Sequence, residues 1–269
     1  MLFWGFSFVW FKIVVQWYEP ITIIFLRLII SGALLSVFML VTRSFQRIKP
    51  ADRKYFFLLA FTQPLCYFLG ESYGLKLVSS TVASVIIATI PLFSPFAAYY
   101  LVREKINASV VAGIMFSFAG IVLMLFNPDF SLNADPAGVA LLFFAVLSAV
   151  GYSVVIRKIS DSYNPVTIIT YQNLIGALYF LPLFLIFDFQ KFIQVKPTNE
   201  LVLAMLQLAL FASTLAYVFY IIAIKGIGII KANIFTNLIP VFTGVFSFYM
   251  LNEQFTAVKI VGMLLVLAG

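Results

Sequence analysis

Apolar residues come in long unbroken blocks along this chain, set apart by short polar connectors. The blocks cover residues 1–15, 21–41, 55–75, 81–102, 108–126, 137–156, 165–187, 200–224, 229–251 and 256 onward. Most are about 20 residues long, enough for a helix to cross ~30 Å of hydrocarbon. Membrane strands would instead alternate apolar and polar residues over roughly ten positions, and no block does so. The pattern predicts ten transmembrane helices. The first and last blocks are short for a span, which reads either as truncation or as a start and stop placed inside natural helices.

The same pattern occurs twice. Shifted by 149 residues, 74–120 falls without a gap on 223–269. Pro91 then meets Pro240, Tyr100 meets Tyr249, Glu104 meets Glu253, and Gly113 and Gly120 meet Gly262 and Gly269. Upstream the offset is 145, which places Pro20 on Pro165 and Lys12 on Arg157. Apolar helices can align by chance; a kinking proline, a charged connector and heptad-spaced glycines would not align together. The chain therefore divides into repeats at 1–126 and 137–269, joined by a linker at 127–136. Five spans per repeat is an odd number, so the two repeats enter the bilayer in opposite senses. Inverted repeats of this kind build secondary transporters, with the substrate site near midplane between them.

Charge sets the orientation. The chain is 63% hydrophobic and 10% charged, with a net charge of +7. The connectors after spans two, four, six and eight hold most of the cations, the densest run being Arg43, Arg47, Lys49, Arg53 and Lys54. The positive-inside rule makes these connectors cytoplasmic, and both termini with them. Cations placed this way give no reason to expect a nucleic-acid partner. With no histidine and a single cysteine, Cys66, His-based metal or triad chemistry and an intrachain disulfide are excluded. Met1 opens directly on apolar sequence, so no signal peptide is expected.

Trp4-Gly5-Phe6-Ser7-Phe8 leading to Lys12, Phe25-Leu26-Arg27, the proline-kinked fourth and ninth spans with Glu104 and Glu253, and the closing glycine pattern resemble the EamA family of the drug/metabolite transporter superfamily. The resemblance covers nearly the whole chain, twice. It implies an all-α integral membrane protein of ten helices in two inverted five-helix bundles, in a bacterial inner membrane. It also implies a central cavity fed by spans three, four, eight and nine, and export or exchange of amino acids and related metabolites without ATP. In keeping with that, no GxxxxGK[ST] phosphate loop occurs. No cofactor or metal is expected; the partners are a small-molecule substrate and the bilayer, with a homodimer as an option.

Three charges sit inside apolar blocks, where charge is expensive: Lys12, Arg27 and Glu71. All three fall in the outer half of the membrane in this topology. Two readings stand side by side. In one, Lys12 snorkels while Arg27 and Glu71 pair structurally. In the other, Glu71 exchanges protons and a surplus cation anchors a substrate carboxylate or phosphate. The second repeat has Gln172 and Tyr220 where the first has Arg27 and Glu71, so the charges belong to one half only. Facing the same interior are expected Gln63, Tyr67, Ser84, Thr89, Gln207, Ser213, Tyr217, Tyr220, Asn233 and Asn237, the two asparagines sharing one helix face. Such polar groups also serve as glue between helices. Pro91 and Pro240 free backbone carbonyls near midplane and are candidate hinges, one per repeat. The glycine pairs suit close helix packing, within the bundle or between protomers.

A sugar-phosphate or nucleotide-sugar exchanger is the nearest alternative and would need several cations around the cavity. A membrane scaffold or sensor would need a longer loop than any here, and an intramembrane enzyme more than a lone carboxylate.

Overall fold

A computed structural model of the protein describes residues 1–103, 108–125, 134–253 and 256–269. Glu104, Lys105, the linker up to Asn133 and the side chain of Lys259 lie outside the described residues. Those described form ten apolar helices: α1 (Leu2–Val14), α2 (Pro20–Thr42), α3 (53–77), α4 (80–102), α5 (Ala108–Leu125), α6 (Pro136–Ile159), α7 (165–192), α8 (199–227), α9 (229–251) and α10 (Ala257–Ala268).

Helix starts obey capping chemistry. Ser79, Asp135, Asn164 and Thr198 each accept a backbone N–H from the first turn of the next helix. Pro20, Pro136 and Pro165 occupy first-turn positions, where a missing N–H costs nothing. Two starts and stops differ from the sequence pattern. Arg157 belongs to the last turn of α6 rather than to a connector, where it pairs with Asp161 at 3.3 Å. Helices α8 and α9 meet with no loop between them, at Gly228, whose φ of 83° is a left-handed turn that glycine alone adopts without cost.

Four helices are broken near their middles. Helix α3 breaks at Gln63, which is extended (φ −152°, ψ 118°) because Pro64 is the next residue. The equivalent part of α8, Leu208–Leu215, is π-helical. Helix α4 loses its α-helical ladder just before Pro91, and α9 runs through a 3₁₀ turn, Phe235–Leu238, just before Pro240. Both prolines thus break equivalent helices, as the pattern predicts.

Packing obeys a two-fold rule. Helix α1 lies against α8 and α9, and its counterpart α6 lies against α3 and α4. The pairs α2/α7 and α5/α10 each join a helix to its own repeat-mate. The most extensive pairings therefore run between the repeats, which share one hydrophobic core. In the α5/α10 crossing a Cβ on Gly113 would fall on the Gly269 carbonyl, and one on Gly120 on the Gly262 carbonyl. The heptad-spaced glycines serve this crossing inside the chain. Outside, the surface exposes Leu40, Val41, Tyr100, Ile186 and Tyr249, an apolar perimeter suited to lipid.

Candidate functional site

At the centre of the bundle, the broken helices surround a narrow cavity of about 30 Å³. That volume holds roughly two water molecules. Its walls come from α1 (Trp4, Phe8), α3 (Gln63, Tyr67, Glu71), α4 (Ile87, Ile90), α6 (Ala149, Tyr152), α8 (Tyr217, Tyr220) and α9 (Thr236, Ile239). Glu71 and Tyr220, Ile87 and Thr236, and Ile90 and Ile239 are pairs separated by the 149-residue repeat offset, and Trp4 and Ala149 by the 145-residue one. The pseudo-two-fold axis runs through the cavity.

Helix geometry explains the first-repeat wall. Tyr67 and Glu71 are one turn apart on α3, and the Tyr67 hydroxyl donates to Glu71 Oε1 at 2.8 Å. The break at Gln63 turns its amide toward α8, where Nε2 donates to the Tyr217 hydroxyl. On the opposite wall, Trp4 stands edge-on to Tyr217 and Tyr220, both at 5.2 Å between ring centroids. Tyr152 completes the box at 6.1 and 6.3 Å from the same two rings. The indole N–H of Trp4 donates to the Ala212 carbonyl at 3.3 Å, within the π-helical stretch of α8. Such stretches leave carbonyls outside the regular ladder and recur at functional sites.

Behind these walls lie two polar groups. Arg27 is 3% exposed, donates from Nε to Ser213 Oγ at 2.6 Å and lies over the Phe68 ring at 4.2 Å. It shares with Glu71 a crevice walled by Phe8, Phe11 and Leu75, which has no room for water. The two charges do not approach to ion-pair distance. On the second-repeat side, the Tyr220 hydroxyl donates to Asn233 Oδ1 at 2.5 Å and bonds Ser153 at 2.8 Å.

Of the residues singled out from the sequence, Gln63, Tyr67, Glu71, Tyr217 and Tyr220 line the cavity. Asn233 stands one bond behind the wall. Arg27 and Lys12 do not reach the cavity: Arg27 is held in its crevice, and Lys12 is half-buried in the last turn of α1. Ser84 and Thr89 bond back to the carbonyls of Thr81 and Ile86, the usual fate of a helical hydroxyl at a bend. Gln207 is half-buried away from the lining. Asn237 does not share the face of Asn233; the intervening 3₁₀ turn rotates it toward Ser117 and the Val266 carbonyl, so it ties α9 to α5 and α10. Trp4, Phe8 and Tyr152 line the cavity without having been expected there from the sequence. The repeat offset holds the signal, since it pairs Trp4 with Ala149 and Phe8 with Ser153.

The EamA-like transporter family matches residues 1–126 and again 136–269. The chain belongs to that family. Among its relatives, an uncharacterized transporter of Archaeoglobus fulgidus is 28% identical over all of this chain and 92% of its own length. YetK of Bacillus subtilis, also an uncharacterized transporter, is 25% identical over 90% of this chain and 74% of its own. The chloroplastic WAT1-related protein At3g02690 of Arabidopsis thaliana is 29% identical over 97% of this chain and 64% of its own. One crystal structure superposes with a TM-score of 0.75 at 16% identity, covering 98% of this chain and 94% of that one. This EamA-like chain is thus a multi-pass integral membrane protein of the transporter class, its described residues forming ten helices in two inverted five-helix repeats, and its substrate is a small molecule.

Proposed function

We propose that the protein is a secondary transporter that exports or exchanges small organic metabolites, amino acids and their relatives, by alternating access through the central cavity. The observation that carries this reading is the cavity's lining by repeat-equivalent residues from both halves, because tilting one half against the other would open it to each side in turn. Its small volume fits a closed stage of such a cycle. The breaks before Pro91 and Pro240 are the proposed flexing points. Glu71 is the proposed coupling carboxylate, since it is the one acid in the lining. A sugar-phosphate exchanger is the poorer fit, because neither Arg27 nor Lys12 lines the cavity.

The repeats are proposed as 1–126 and 137–269 with their linker between. The charge pattern supports an N-in, C-in arrangement, and the family resemblance a bacterial inner membrane. The cavity is complete within one chain, so the proposed cycle needs no homodimer. Counterflow in proteoliposomes with a panel of metabolites, with and without a pH gradient, tests the reading. Wild type should accumulate solute with the gradient, and Glu71→Gln should abolish accumulation. Accumulation by Glu71→Gln at the wild-type level would remove Glu71 from coupling.

A further inference from the structure

We infer that the cavity selects organic cations: a protonated amine on a compact apolar or aromatic body, in preference to solutes that carry a carboxylate or phosphate. The inference rests on the proposed transport activity and moves its substrate class from amino acids to their amine relatives.

Four observations support it. Among the lining residues, Glu71 is the single carboxylate and there is no lysine or arginine. Tyr67 bonds Oε1 of that carboxylate, and among the described residues no hydrogen bond reaches its other oxygen. Around it, Trp4, Tyr152, Tyr217 and Tyr220 form a box of rings in mutual edge and stacked contact. Aromatic faces attract cations, and most strongly where water is excluded. The fourth observation concerns the cation that would argue against this. Arg27 could anchor an anion only if a ligand reached it, and the crevice between Arg27 and Glu71 has no room even for water. Its guanidinium is instead engaged by Ser213 and the Phe68 face. Arg27 is therefore a fixed counter-charge on the far side of Glu71, and the face presented to the cavity is anionic. The remaining titratable groups in the wall, Tyr67, Tyr152, Tyr217 and Tyr220, are phenols and supply no positive charge.

The apolar floor, Phe8, Ile87, Ile90 and Ile239, suits the body of such a molecule. An anion brought to the same place would face Glu71 with no cation in the lining to bind it.

Two matched series test this with the full-length chain. One comprises phenethylamine, phenylalanine and 3-phenylpropionate; the other isoamylamine, leucine and 4-methylpentanoate. Each series holds the body constant while the charged groups change. Binding is followed by tryptophan fluorescence and thermal shift in detergent, and exchange by counterflow in proteoliposomes, with protein-free vesicles setting the leak. Both amines should bind and exchange, the amino acids at least about ten-fold more weakly, and the acids not at all. Glu71→Gln should weaken amine binding by about ten-fold or more, and Glu71→Asp should restore much of it. The wild-type series decides the matter even if a variant fails to fold. Amino acids or acids that bind or exchange as well as the amines overturn the inference and leave transport standing. Amines that bind without exchanging support the site's selectivity and overturn the transporter reading instead. Amines that neither bind nor exchange overturn the inference.

Discussion

The two halves of the central site are built on equivalent positions with different chemistry. Arg27 of the first repeat corresponds to Gln172 of the second, and Glu71 to Tyr220. Each stays buried and hydrogen-bonded: Arg27 to Ser213, Gln172 to Tyr152, Glu71 to Tyr67, Tyr220 to Asn233. The fold thus needs a polar group at these depths but does not need it charged. A neutral network holds the second half together. Charge in the first half is an addition to the scaffold, and buried charge seldom adds stability over a neutral or apolar substitute.

The largest expected effect turns the first half into the second. Arg27→Gln or Glu71→Gln alone leaves the other charge buried without its counterpart, and because the two stand beyond ion-pair distance each should lower stability by less than the about 3–5 kcal/mol that a broken buried ion pair costs. The double variant R27Q/E71Q removes both charges and should recover most of that loss in thermal unfolding while remaining inactive in counterflow. Losses that simply add would show that the two charges do not compensate each other.

The α5/α10 crossing is a comparison within symmetry, since its two helices occupy equivalent places. Gly120→Ala puts a methyl against the Gly262 carbonyl and Val266, and overpacking of this kind should cost about 1–3 kcal/mol. Gly226 has open space around it, so Gly226→Ala should not show that loss. Equal losses at both sites would mean that close packing is not what α5/α10 requires.

Glu253, in the connector after α9, closes onto the first repeat. Its carboxylate accepts from Ser80 N, Thr81 N and the Thr81 hydroxyl, capping α4 from the other repeat. Glu253→Gln keeps the shape but weakens these charge-assisted bonds, with an expected loss of about 1–2 kcal/mol in the melting of detergent-solubilised protein. An unchanged melt would show that the cap is dispensable.

The smallest effect belongs to Glu19, on the first repeat, which bridges Lys76 at 2.6 Å and Lys191 at 3.1 Å. Lys76 first, and then Lys191, holds the Glu19 carboxyl below its usual range. A depressed folded-state pKa contributes stability above the unfolded value, and that contribution fades as pH falls through the folded value. For an exposed pair it should amount to about 0.2–1 kcal/mol and be screened by salt. Glu19→Gln should therefore match wild type in acid and fall slightly below it at neutral pH. A gap that persists in acid would point to another cause.

Hydrophobic pattern alone located the ten helices to within a few residues, because a span must be long, apolar and bounded by polar caps. Its errors have local physical causes. Helix periodicity put Asn233 and Asn237 on one face, but a 3₁₀ turn carries 3.0 residues per turn and rotates the residues after it. Depth along the helices put Lys12 level with Arg27 and Glu71, but depth says nothing of azimuth, and Lys12 lines neither the cavity nor the crevice that Arg27 and Glu71 share. The tyrosine box was half visible: Tyr217 and Tyr220 are polar interruptions in an apolar run, whereas Trp4 and Tyr152 pass for ordinary lipid-facing aromatics until both repeats are superimposed.

The interlocked packing has a consequence for biosynthesis. Helix α1 leaves the ribosome long before α8 and α9, which cover it. Until α8 and α9 are made, α1 has only its first-repeat partners, such as Ser80 of α4 on the Phe8 carbonyl, and the face carrying Trp4 must wait against lipid or an insertion factor. Helix α6, its counterpart, meets α3 and α4 already in the membrane and can dock as it emerges. A protein symmetric in space is thus assembled asymmetrically in time, and substitutions on the inner face of α1 should reduce yield more than equivalent ones on α6.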